Sequence, residues 1–159
     1  MENPLLELQE YENLQEALKK AKGPVQATGT LDSQKVHLMY WLGKDGGFPW
    51  KLVVTYDDQR AREIYDDFRS FTENVWLYPA KDLLFYSADI HGNLMTRQRI
   101  AVWRHLMEEK EGVVVTTLDG LMDHLLPLVF LKQQAVTVEN GQIMDLDEWK
   151  ERLTALGYE

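Results

Sequence analysis

The run Gly29-Thr30-Leu31-Asp32-Ser33-Gln34-Lys35-Val36 is the segment whose residue types come nearest to a chemical motif. A working phosphate loop reads G-x-x-x-x-G-K-[ST]: its second glycine lets backbone amides wrap the phosphates, its lysine neutralises them, and its hydroxyl binds magnesium. Here Gly29 and Lys35 stand in register, but Gln34 replaces the second glycine and Val36 replaces the hydroxyl residue. Asp32 adds a negative charge inside a loop meant for a triphosphate. The pattern therefore reads as a phosphate-loop remnant, or as an ordinary strand-to-helix turn, with productive ATP binding as the rival reading.

Other chemistry finds less support. The four histidines (His37, His91, His105, His124) have no metal-ligand partner at helical spacing, and the chain has no cysteine, so no metal site is expected. His105 and His124 read as structural residues beside apolar stripes, and His91 as a loop residue able to line a cleft. Adjacent acids such as Asp57-Asp58 and Asp66-Asp67 do not face one another on a helix, which excludes them as acid/base dyads. No serine lies in a nucleophile elbow. Arg97, Arg99 and Arg104 form the one local basic cluster, a candidate contact for phosphate or an acidic partner, with a salt-bridged solvated face as the plainer reading. Phe48-Pro49-Trp50 is an aromatic loop in which Trp50 is a candidate partner anchor, weighed against simple packing on the domain edge.

Composition bounds these readings. The 159 residues, 45% hydrophobic and 27% charged, suit one soluble domain and the start of a second. Acids outnumber bases 26 to 17, a net charge of −9, which opposes general binding to DNA or RNA. No apolar run is long enough to span a membrane, and the amino terminus lacks a signal pattern; a cytoplasmic protein is the expectation.

The elements that must position these residues follow from periodicity. Leu5, Leu8, Tyr11, Leu14, Leu18 and Ala21 mark an amphipathic helix stopped by Gly23-Pro24. Val25–Thr28 reads as a short strand entering the Gly29 turn, and 33–42 as a buried helix. Leu52-Val53-Val54 reads as a buried strand, followed by a helix capped at Asp57 or Asp58 with Ile64, Phe68 and Phe71 on one face. Val75–Tyr78 is a strand closed by Pro79; 93–109 is a helix with Ile100, Trp103, Leu106 and Met107 inward; Val113-Val114-Val115 is a buried strand; Leu118, Leu121, Met122 and Leu125 form a further helical stripe ended by Pro127. Alternating strands and helices predict an α/β fold, a three-layer arrangement with a parallel sheet covered by helices on both faces. After Pro127 the pattern changes: a strand at Ala135–Val138, a turn at Asn140-Gly141, and a helix from Asp145 with Glu148 in a capping box and Leu146, Trp149, Leu153 and Leu156 on its apolar face. A boundary is placed near 130, giving 1–130 as the α/β domain and 131–159 as the start of a small α+β module.

Several strings then carry a family resemblance. Lys51–Phe68 (KLVVTYDDQRAREIYDDF) resembles the second strand and helix of bacterial transcription-repair coupling factors. Trp76–Leu83 (WLYPAKDL) is similar to that family's LYP segment, and Thr96–Ile100 (TRQRI) to its arginine-bearing helix. Gly112–Leu121 (GVVVTTLDGL), running on to Leu125-Leu126-Pro127, follows its strand-then-helix pattern. Leu146–Tyr158 (LDEWKERLTALGY) is similar to the helix ending LGY in its UvrB-like module.

The resemblance implies a degenerate RecA-like ATPase domain without catalytic residues or cofactor, in which Gly29 and Lys35 are relics of the phosphate loop. It implies a scaffold that recruits UvrA and contacts other domains of a parent ATP-dependent DNA translocase, with direct DNA binding by this piece not expected. In the family the chain continues past LGY into a segment that carries UvrA contacts, so this chain is expected to be a piece of the longer protein and UvrA binding to need residues beyond it. The alternative is a cryptic ATP-binding domain using Gly29 and Lys35.

Overall fold

In a computed structural model of the chain, residues 2–80, 89–122, 129, 141 and 145–155 are described, with side chains except at 89–96, 148, 152–153 and 155. The elements run as a 3-10 turn Pro4–Glu7, α1 Gln9–Lys20, α2 Asp32–Asp45, β1 Trp50–Thr55, α3 Asp58–Arg69, β2 Val75–Tyr78, α4 Asp89–Glu108, β3 Gly112–Thr117, α5 Leu118–Met122 and α6 Leu146–Ala155. Two compact units contain them, Met1–Asp123 and His124–Glu159.

Three strands form a parallel sheet in the order β1-β3-β2. Val113 pairs with Lys51 on one side and Val75 on the other, and Val115 pairs with Val53 and Leu77. β3 is thus central, and all six of its residues are buried, as its valine run predicts for a strand packed on both faces. Alternation divides its side chains. Val113 and Val115 join Val36 of α2 and Ala61, Ile64 and Phe68 of α3 in one cluster, while Val114 joins Tyr78, Val102, Trp50, Trp76, Trp103 and Leu106 in another. The chain moves across the sheet from β1 to β2 through α3 and steps back to β3 through α4. Right-handed crossovers in opposite directions send their helices to opposite faces, which is why α3 and α4 feed different clusters.

Local chemistry sets the helix ends. Asp57 caps α3, its Oδ1 accepting the Arg60 amide at 2.7 Å. At α2 the N-cap residue is Leu31, which has no side-chain acceptor; Gln34 supplies the other half of a capping box, its Oε1 accepting the Leu31 amide at 3.1 Å. The amino-terminal segment is attached through the far end of α2. The Asp45 carboxylate accepts from Asn3 Nδ2 at 2.6 Å, the Tyr11 hydroxyl at 2.7 Å and Gln15 Nε2 at 3.2 Å. Burial first, then that carboxylate, push the Tyr11 phenol up to about 12.

Four expectations change. Val25–Thr28 is not a strand: residues 21–31 form no helix or strand and Val25 alone among 25–28 is even half-buried. A short segment between Gly23-Pro24 and Gly29 gains its strand only by pairing, and the described sheet seats β1, not this segment, beside β3. β1 is a strand, but Leu52 is 58% exposed and Val54 44%; it is an outer strand with one open face, so the apolar run reported strand and not burial. Ile100 is 54% exposed, because the inward stripe of α4 is Arg99, Val102, Trp103 and Leu106. His91 falls in α4 and not in a loop.

The helix expected from Ser33 extends over Asp32–Asp45, and β2 coincides with Val75–Tyr78. The amphipathic first helix is interrupted at Leu8, which caps α1 after the 3-10 turn. The expected apolar stripe after β3 is only partly covered, with Leu118 58% and Met122 76% exposed. In the second unit, α6 opens with Asp145 Oδ1 accepting the Asp147 amide at 2.9 Å, and Gly141 has the positive φ of a turn, +89°. The expected strand Ala135–Val138, and Leu125, Pro127, His124, Asn140 and Leu156, lie outside the described residues.

Candidate functional site

The loops that follow the carboxyl ends of parallel strands are where such sheets bind ligands. α3 starts directly after β1 at that edge, and a side-chain network ties its first turns to the first turn of α2, which lies within the Gly29–Val36 segment. Lys35 Nζ donates to Asp32 Oδ1 at 3.0 Å, and Arg60 of α3 reaches the same oxygen at 3.3 Å. Arg60 also pairs with Glu63 at 2.8 Å, and Gln59 Nε2 donates to Glu63 at 3.2 Å. The Lys35 bond, reinforced by the charges of Lys35 and Arg60, holds the Asp32 carboxyl below its ordinary range. The Arg60 hydrogen bond and then Gln59 do the same for Glu63, and Glu63 in turn raises the Arg60 guanidinium.

Both cations at the loop already face carboxylates of the same chain, two positive against two negative charges. A triphosphate at this edge would compete with Asp32 for Lys35 and would meet its repulsion as well. Gln34, in place of the second glycine, is engaged in closing the helix end. Gly29 has a positive φ of +87° and no atom within 4 Å of where a Cβ would stand, so it turns the chain in the open. Among the described residues no group of His, Asp and Glu side chains is arranged to hold a metal ion.

The other singled-out residues scatter. Arg99 is 8% exposed; its Nη1 donates to the Pro79 carbonyl at 3.1 Å and its guanidinium lies 4.4 Å from the Tyr78 ring centre, which fastens α4 to the end of β2. Arg97 is exposed. Arg104 is 3.6 Å from Glu108, both side chains 62% exposed. The three arginines do not converge on one surface, since the middle one points into the protein. Trp50 is half-buried and packs on Trp76 at 5.6 Å between ring centres, so it is part of the second core cluster. His105 stacks on the Trp76 ring, 4.6 Å between ring centres. His37 accepts from Trp41 Nε1 at 2.9 Å and stacks on Phe71 at 5.4 Å.

Two partners escaped the reading of the sequence. Arg60 and Glu63 carry no motif; their only signal is position, in the first turns after a capping Asp57, where a side chain can reach a neighbouring helix start.

The described residues form an α/β protein with a three-stranded parallel sheet and a charge-paired segment at the carboxyl edge of that sheet. No family model matches the chain. It is similar to the transcription-repair-coupling factor of Staphylococcus haemolyticus, at 24% identity over 109 residues. The same identity and span hold for the transcription-repair-coupling factors of Staphylococcus aureus strain USA300 and Staphylococcus epidermidis. The match takes in 67% of this chain and 9% of each relative's length, and it fits the N-terminal region of that family. Among the described residues no helix is long and apolar enough to cross a membrane.

Proposed function

We propose that this chain is the N-terminal, UvrB-like piece of a transcription-repair coupling factor acting in DNA repair in the cytoplasm. In this reading residues 1–130 are a degenerate RecA-like domain, three-layered and without ATPase activity, and 131–159 begin a module that recruits UvrA. The parent protein is an ATP-dependent DNA translocase, and this piece serves as scaffold for UvrA and for the parent's other domains.

Similarity to the staphylococcal coupling factors supports the repair role. The observation that carries the scaffold reading is the 3.0 Å contact between Asp32 and Lys35: the lysine that would neutralise a nucleotide phosphate is neutralised from within the chain. Gly29 and Lys35 are then relics. The arrangement of α3 and α4 against opposite clusters of the sheet supports the RecA-like reading.

Two measurements test it. Calorimetry with purified UvrA compares this chain with one extended by about a hundred residues of the parent, the scale of a typical domain; binding by the extended protein is expected, and its absence overturns the recruitment reading. A thermal shift with millimolar ATP and magnesium addresses the scaffold reading, because a ligand that binds the native state raises the melting temperature. No shift is expected, and a shift abolished by Lys35→Ala would establish the cryptic ATP-binding domain instead.

A further inference from the structure

At the edge of the sheet opposite the phosphate-loop remnant lies a cleft of about 360 Å³, between the carboxyl end of α2, the loop into β1 and the start of β3. Tyr40 and Phe48 give it aromatic sides, Lys44 and Lys51 its positive charge, Asn74 lines it from just before β2, and Gly112 from β3. The loop is built to leave this space open. Gly43 lets the Lys51 stem lie against α2, where a Cβ would come within 2.6 Å of Lys51 Cε, and Gly47 takes a positive φ of +66°.

Two properties of the cleft go unused by the fold. Among the described residues neither Lys44 nor Lys51 has a carboxylate partner. Lys44 rests over aromatic rings instead, 4.8 Å from Trp41 and 5.8 Å from Tyr40. Glu111 also lines the cleft but pairs with neither lysine. Phe48, beside both, is 57% exposed. On a chain of net charge −9, two unpaired ammonium groups flanking an exposed phenyl ring are a local reversal of sign.

We propose that this cleft docks an acidic peptide segment carrying an aromatic or aliphatic side chain between its carboxylates. The apolar side chain packs on Phe48 and Tyr40, and the carboxylates take Lys44 and Lys51. Charge complementarity selects this occupant. Two separate single charges on either side of an exposed ring suit carboxylates spaced along a chain about an apolar side chain. The inference is independent of the phosphate-loop reading, which concerns the other edge of the sheet.

The test uses the whole chain, labelled with nitrogen-15, and a blocked eight-residue peptide of glutamates with one central phenylalanine. Amide signals of Lys44, Gly47 and Gly112 are expected to move on titration. Lys44→Glu and Lys51→Glu should each weaken binding about fivefold, the scale of an exposed ion pair, and a glutamine version of the peptide should not bind. Phe48→Ala, an exposed position, removes the apolar contact without touching the sheet and should also weaken binding. The proposal is overturned if no signal moves, if the shifts map elsewhere, if the glutamine peptide binds equally, or if ATP moves these signals and the peptide does not.

Discussion

The Asp32 carboxylate holds the Lys35 ammonium at 3.0 Å, three residues along the same helix start, and Arg60 reaches that carboxylate from a second helix at 3.3 Å. The pair sits where a functional loop would leave its lysine free. Asp32→Asn should therefore leave the fold intact, lowering the melting temperature by no more than about 2 °C, since both side chains are largely in water. Differential scanning calorimetry checks this, and a drop several times larger would mean that the network holds α2 against α3.

The same carboxylates give the protein an acid limb. Asp32 and Glu63 are both held below their ordinary values, so their contribution is complete above the unfolded carboxylate range, about pH 4, and is lost as pH falls through the lower folded values. Urea denaturation of the wild type and of the double variant Asp32→Asn/Glu63→Gln should differ at pH 6 and converge toward pH 2. A constant gap across that range would contradict the assignment.

An alkaline limb comes from the amino-terminal attachment. Tyr11 donates to Asp45 at 2.7 Å and has its phenol pushed up to about 12. Because the folded value is raised above the unfolded one, the stabilisation is complete below pH 10 and drains away as pH rises from 10 through 12. Tyr11→Phe should cost about 1–2 kcal/mol at neutral pH and should flatten that alkaline decline. Hydrogen exchange of the α1 amides gives a second readout, with faster exchange expected in the variant, since Asn3 and Gln15 alone then link this segment to Asp45.

Gly112 marks a packing limit. A Cβ there would stand 2.2 Å from Trp76 Cζ3 and 2.8 Å from Trp50 Cζ3, so neither indole can stay in place. Gly112→Ala should destabilise by about 1–3 kcal/mol through overpacking and reduce the near-ultraviolet circular dichroism of the tryptophan pair. An unchanged spectrum would show that the two rings are not packed as described.

Arg99 and Arg104 separate structure from surface on one helix. Arg99→Met removes a charged donor from the buried Pro79 carbonyl and should cost about 1.5–3 kcal/mol. Arg104→Ala gives up only an exposed pair with Glu108, about 0.5 kcal/mol or less. Equal losses in urea unfolding would refute the division of roles.

Much of the architecture was legible in the residue order. The valine run 113–115 announced a strand packed on both faces, the spacing of Ile64 and Phe68 gave the inward face of α3, and Asp57 announced its start. These are local signals, carried by period and by capping chemistry. Three of the failures share one cause. Val25–Thr28 has strand-like residues without a strand, Leu52 and Val54 are apolar without being buried, and Ile100 yields the inward position to Arg99. Pairing and burial depend on what lies alongside, which no window of sequence contains.

The phosphate-loop remnant divides the same way. The sequence by itself determined how the Gly29–Val36 segment departs from a working phosphate loop, Gln34 for glycine and Val36 for a hydroxyl, because those are matters of residue type at a set spacing. Lys35 meets Asp32 by helix spacing alone, and only the tertiary structure decided that Arg60 would join them. Arg60 lies 28 positions beyond Asp32 in the chain, and the two meet because α2 and α3 pack side by side on one face of the sheet. The pairs Asp32–Lys35 and Arg60–Glu63 are each local to one helix, and the fold joins the two pairs into one network.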